Sequence, residues 1–110
     1  DMKLIIAIVQ DEDSSHLIRK LMDGGYGVTK LATTGGFLRS GNTTLLVGVD
    51  DEQFDGAMAI IEDICKSRKQ IATSPSPMSG STGVYVPYPI EVVVGGATIF
   101  VLNVEKFIKI

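Results

Sequence analysis

Catalysis or metal binding requires nucleophiles, bases or ligands in mutual reach, and this chain has few to bring together. His16 is its one histidine and Cys65 its one cysteine, so no zinc site built on two of either can form. His16 stands beside Ser15 in what reads as the first turn of a helix, a solvated position. Cys65 falls on an apolar helical stripe, where a buried structural thiol is the expected role. The carboxylates gather at Asp11-Glu12-Asp13 and at Asp50-Asp51-Glu52 with Asp55. Each cluster precedes an apolar-periodic run, where acids complement the positive end of a helix dipole. No paired acid and base emerges from them. The inventory predicts neither an enzyme nor a resident cofactor.

Backbone supplies what the side chains do not. Glycine accounts for 12 of 110 residues, and successive N–H groups exposed at glycines can cradle a phosphate. Thr33-Thr34-Gly35-Gly36-Phe37 has this character, with the hydroxyls of Thr29 and Thr33 and the charges of Lys30 and Arg39 nearby. No Walker lysine follows and no G-x-G-x-x-G opens a helix, so an ordinary hairpin loop satisfies the same pattern. Phe37 is either an apolar anchor or a platform for a flat base. Asn42 carries both a donor and an acceptor, the pair needed to read an adenine edge. Taken together, these residues point to a nucleotide.

The elements that would position them follow from periodicity. Leu4 to Val9 is continuously apolar between polar flanks and predicts a central strand over 3–10. Leu17, Ile18, Leu21 and Met22 recur at helical spacing behind Asp13 or Ser14 as N-cap, with Gly24-Gly25 as the stop, which predicts a helix over 14–24. Val28 to Thr34 and Thr43 to Val49 are β-branched runs and predict two strands joined by the glycine-rich 35–42. Asp50 and Gln53 have capping-box spacing, and Phe54, Ala57, Met58, Ile61, Ile64 and Cys65 form one face of a helix over 51–67. From Gln70 to Gly83 a Ser/Pro/Gly/Thr stretch without period predicts a long loop, expected, like 35–41, to be mobile until ligand binds. Ile90–Val94 and Ala97–Val104 are separated by Gly95-Gly96, the spacing of a tight hairpin. The order β-α-β-β-α-β with an extra hairpin strand is that of an α+β, ferredoxin-like sandwich in one domain over 1–110. Two helices cover one face of such a sheet, and the other face calls for a neighbouring subunit.

Composition narrows the setting. An apolar fraction of 45% and a charged fraction of 21% describe a globular chain rather than a disordered one. A domain of this length buries only about two-thirds of the surface its unfolded chain exposes, which favours oligomerisation. The net charge of −3 argues against a nucleic-acid binder. Within 14–49, however, Arg19, Lys20, Lys30 and Arg39 face only Asp23, a basic stretch that suits a small anion or is simply solvated. One cysteine gives no disulfide framework. The apolar run 4–9 is far short of a membrane span of ~20 residues and lacks the flanks of a signal peptide. A cytoplasmic protein without membrane contact is expected, and Asp1 ahead of Met2 reads as a trimmed extension without functional weight.

The run Val28-Thr29-Lys30-Leu31-Ala32-Thr33-Thr34-Gly35-Gly36-Phe37-Leu38-Arg39-Ser40-Gly41-Asn42-Thr43-Thr44 resembles the PII-like cyclic-di-AMP receptor family. The resemblance extends from Met2-Lys3-Leu4-Ile5-Ile6-Ala7-Ile8-Val9-Gln10-Asp11 to Pro87-Tyr88-Pro89-Ile90-Glu91-Val92 and Gly95-Gly96-Ala97-Thr98-Ile99-Phe100-Val101. It implies a PII-like homotrimer that binds the second messenger cyclic di-AMP at subunit interfaces, signals through its loops and has no known catalytic step. The downstream protein is undefined. Carried over by position, the ligand-binding residues are Thr29, Gly36, Phe37, Leu38, Asn42 and Gly48, with Val28 and Phe100 as walls. Asn42 and the Gly48 backbone are expected to read one adenine. Better-known members carry an arginine where this chain has Gly27, a polar residue at Gly25 and a glutamine at Lys109. Loss of the arginine implies either weaker affinity or compensation by Lys109 meeting a phosphate. The alternative is a PII-like interaction protein responding to ATP or ADP.

Overall fold

The structure, a computed structural model, describes residues 1–31, 41–77 and 85–110. The glycine-rich connection containing Gly36, Phe37 and Leu38, and the segment 78–84, lie outside the described residues. The chain runs β1 (Met2–Gln10), α1 (Asp11–Asp23), β2 (Gly27–Leu31), β3 (Asn42–Asp50), α2 (Asp51–Cys65), β4 (Arg68–Pro77), β5 (Tyr85–Val94) and β6 (Ala97–Val104). Four strands form an antiparallel sheet in the order β2-β3-β1-β6, and β4 and β5 pair separately as a two-stranded ribbon. This is the α+β ferredoxin-like arrangement. β6 fills the outer position beside β1, and the ribbon is inserted between α2 and that last strand.

Strand alternation decides what is buried. Ile5, Ala7 and Val9 of β1 and Leu45, Val47 and Val49 of β3 point to the helices, where Leu17, Leu21, Ala57, Ile61 and Cys65 meet them in a fully apolar core. Phe54, Met58 and Ile64 pack against that cluster on the stripe the spacing predicts, as does Ile18. Met22 does not: it is 62% exposed, because α1 turns its Leu17–Leu21 edge inward and Met22 lies one step beyond it. The Gln53 side chain accepts the Asp50 N–H at 3.0 Å, closing the capping box at the start of α2.

α1 starts three residues earlier than its periodicity suggests. Asp11, Glu12 and Asp13 form its first turn, and the N–H of Asp11 donates to the Gly41 carbonyl at 2.8 Å. Its end is set by Gly25, whose φ of +87° allows the Gly25 and Tyr26 N–H groups to donate back to Met22 and Leu21 at 3.0 Å each. This is the Schellman closure, which favours glycine at that position.

Two further sequence expectations are corrected. The predicted loop from Gln70 is strand as far as Pro77, in register with β5 from Arg68↔Val94 to Pro77↔Tyr85. Proline is tolerated there because Pro75 faces Pro87 while Pro77 and Pro89 fall two residues on. All four thus occupy alternate pairs, the kind that exchange no N–H···O bonds. The predicted hairpin across Gly95-Gly96 does not form either, since β5 pairs with β4 and β6 with β1. Those glycines, at φ +83° and +92°, swing the chain from ribbon to sheet instead.

Candidate functional site

The sheet face away from the helices carries the even-numbered residues of β1, β3 and β6 and the odd-numbered residues of β2. Leu4 pairs with Gly48 and Leu102, Ile6 with Leu46 and Phe100, and Thr29 with Leu46. Phe100 is 53% and Leu102 48% exposed on it. At the end where β1 and β2 begin and β3 and β6 finish, this face holds a hollow of about 630 Å³. Met2, Leu4, Leu46 and Val104 make apolar walls, Thr29 contributes a hydroxyl, and Gly27 and Gly48 lie in the floor. Phe107 and Lys109, from the segment after β6, complete it.

Of the residues expected to bind ligand, the structure gathers Thr29, Gly48 and Lys109 around this hollow. Gly27, marked in the sequence as a departure, lies directly opposite Gly48 in the ladder. Gly25, a second departure, is accounted for by the end of α1. Val28 is on the other face, packed against the core, because its neighbour Thr29 takes the open side. Phe100 shares the open face but pairs with Ile6, midway along the sheet. Asn42 opens β3 opposite Gln10, six residues from Gly48 on the same strand. At the rise of an antiparallel strand that separation is about 20 Å. A single protomer therefore does not present Asn42 and Gly48 to one base. Strand parity alone groups Thr29 and Gly48 with Leu4 and Leu46. Nothing in the pattern of the sequence singles out Phe107.

The hollow's chemistry is apolar walls, an aromatic ring, a hydroxyl, bare backbone and one ammonium group, which suits a flat ring system bearing an anion. Among the described residues its only charged lining residue is Lys109. Among the described residues no three His, Cys, Asp or Glu side chains cluster to hold a metal ion. His16 is exposed on α1, and the Cys65 thiol is pushed up to about 11, mainly by burial and secondarily by the Asp13 carboxylate. A protonated, buried thiol is a poor nucleophile.

Comparison with known proteins fits this chemistry. A family model described as cyclic-di-AMP receptor matches residues 2–110. The chain belongs to the cyclic-di-AMP receptor family. Among solved relatives of this receptor-family protein is one from Pediococcus pentosaceus ATCC 25745, described as functionally unknown. It is 40% identical with a TM-score of 0.78, over 99% of this chain and 97% of that one. No helix among the described residues of this family member is long and apolar enough to cross a membrane.

Proposed function

We propose that the protein is a signal-transducing receptor that binds cyclic di-AMP and catalyses no step. The observation that carries this reading is the hollow on the uncovered sheet face, with Thr29, the Gly48 backbone and Lys109 around it, in a chain of this family. The receptor is a cytoplasmic homotrimer, and its ligand lies between subunits. Asn42, Phe100 and the connection bearing Gly36, Phe37 and Leu38 of one copy complete what Thr29, Gly48 and Lys109 of another begin. The 20 Å between Asn42 and Gly48 on one strand supports a shared site. The glycine-rich connection and the β4–β5 ribbon relay occupancy to a downstream protein.

A second reading, response to ATP or ADP, draws on the same hollow, since one ring-sized recess with one cation also suits a mononucleotide. Calorimetric titration against cyclic di-AMP, ATP and ADP, followed by competition, separates the two. Cyclic di-AMP is expected to bind with one site per chain and to resist displacement by the mononucleotides. No heat at high micromolar cyclic di-AMP would overturn the proposal.

A further inference from the structure

The two floor glycines are not explained by the fold that contains them. A Cβ at Gly27 would meet nothing within 4 Å, and one at Gly48 would meet only the terminal methyl of Met2, at an ordinary 3.8 Å. Neither residue has a left-handed φ. Glycine within a strand gives up packing and backbone entropy, and where the fold does not require it, it commonly marks close approach by another molecule. Here two such positions face each other across β2 and β3, making a patch of bare backbone in the floor of the hollow.

The segment after β6 supplies the opposing groups. Among the described residues Phe107 is the only aromatic one lining the hollow, yet its own chain leaves it 67% exposed. Lys109, two residues further on, is the only charge among the described lining residues. An exposed ring and a cation beside a flat, side-chain-free floor form a slot for a planar ring carrying an anion. Stacking on an aromatic face recognises such a ring whatever its edge pattern.

Resting on the reading of this hollow as a nucleotide site, we propose that Phe107 is the stacking wall that holds the base against the Gly27–Gly48 floor. In that arrangement the segment Glu105–Ile110 determines affinity. Phe107 grips the ring from the solvent side, and Lys109 meets the phosphate of the same nucleotide. The bare floor at Gly27 lets the ring enter deeply enough for Phe107 to cover it.

The test combines three variants with the full-length protein. The chain contains no tryptophan and three tyrosines, so Phe107→Trp installs a single tryptophan in the slot, excited beyond the tyrosine band, and its fluorescence should be quenched as cyclic di-AMP is added. Phe107→Ala should weaken calorimetric binding by about tenfold or more, with the ligand-free melting temperature and oligomeric mass unchanged. Gly27→Val should leave the ligand-free melting temperature equal or higher, because the added side chain meets open space in a strand, and should still weaken binding. That combination is not expected of a purely structural position. If the wild type binds and both Phe107→Ala and Gly27→Val bind equally well, the stacking slot is wrong while the receptor reading stands. A change of oligomeric mass in Phe107→Ala would make the ring a subunit contact and also overturn the slot. A wild type that binds none of cyclic di-AMP, ATP and ADP would remove the reading and the slot together.

Discussion

Cys65 illustrates how placement decides what a residue can do. It closes α2 inside the core at 1% exposure, and burial, then the Asp13 carboxylate, push its thiol up to about 11 against an opposing pull from Arg68. In the unfolded chain the thiol ionises near its ordinary value of 9.0. The folded state therefore holds the proton longer. The associated stability is complete below pH 9, falls as pH rises toward 11, and does so by about 1.4 kcal/mol per unit. Cys65→Ala lacks this slope but loses packing at every pH, so the stability gap to wild type should narrow between pH 8.5 and 10.5 in urea melts. A gap independent of pH would contradict the assignment. Asn42 is the converse case, a polar residue at the start of the interior strand β3 whose side chain makes no hydrogen bond among the described residues. Asn42→Ala is expected to weaken cyclic-di-AMP binding several-fold or more, whereas His16→Ala, on the helix surface, should leave it unchanged. Equal titrations for wild type and Asn42→Ala would exclude Asn42 from the site.

At the level of elements, the ribbon is held by its root. The Arg68 guanidinium meets the two Asp13 carboxylate oxygens at 2.8 and 3.3 Å and the Lys66 carbonyl at 3.2 Å. The Gly95 N–H donates to the Gln10 side chain at 2.8 Å, and the Gly96 N–H to the Cys65 carbonyl. Beyond that root the described part of the ribbon packs against no other helix or strand, and a lone two-stranded ribbon is marginal in water. The root should therefore be sensitive to substitution. Gly96→Ala places a Cβ in open space and bears mainly the left-handed backbone penalty, about 1–2 kcal/mol. Gly95→Ala bears the same penalty and also drives its Cβ onto the Arg68 guanidinium and to 2.7 Å from the Lys66 carbonyl oxygen. It should lower stability clearly more than Gly96→Ala in denaturant melts and open the ribbon to protease. Equal losses would mean that the root does not constrain the ribbon. The same elements show how far sequence carries. β1, α1 and α2 are legible because one apolar period spans each, and the Asp50–Gln53 capping box is a local signal. The ribbon is not, because Ser, Thr and Pro read as loop until a partner strand is known. Likewise, the choice of β1 rather than β5 as partner for β6 is non-local, so the Gly95-Gly96 spacing misleads. In the site, parity separates Thr29 from Val28, but recruitment of Phe107 depends on where the chain goes after β6.

For the molecule as a whole, the uncovered face is the main energetic problem, and the proposed assembly solves it. Leu4, Ile6, Leu46, Phe100 and Leu102 lie on one side of a sheet whose other side is already filled by two helices. A domain of 110 residues has little stability to spare for leaving such a surface in water. Covering it with further copies buries the apolar centre. In the proposed assembly the Asn42 end of one sheet would meet the Thr29–Gly48 end of another, a meeting that the roughly 20 Å of strand between them forbids within a protomer. Assembly and ligand binding should then fail together. Light scattering is expected to give three times the 11.8 kDa chain mass for the wild type. Phe100→Asp combined with Leu102→Asp places two carboxylates on the face, where burial of an unpaired charge is prohibitive, and should give monomer mass and no calorimetric binding. Met22→Asp, on the exposed side of α1, adds charge without touching the face and should keep both mass and affinity. A trimer that survives the double substitution would place the subunit contact elsewhere. A monomer that still binds at wild-type affinity would mean the hollow is complete in one chain, and that Asn42 has no part in it.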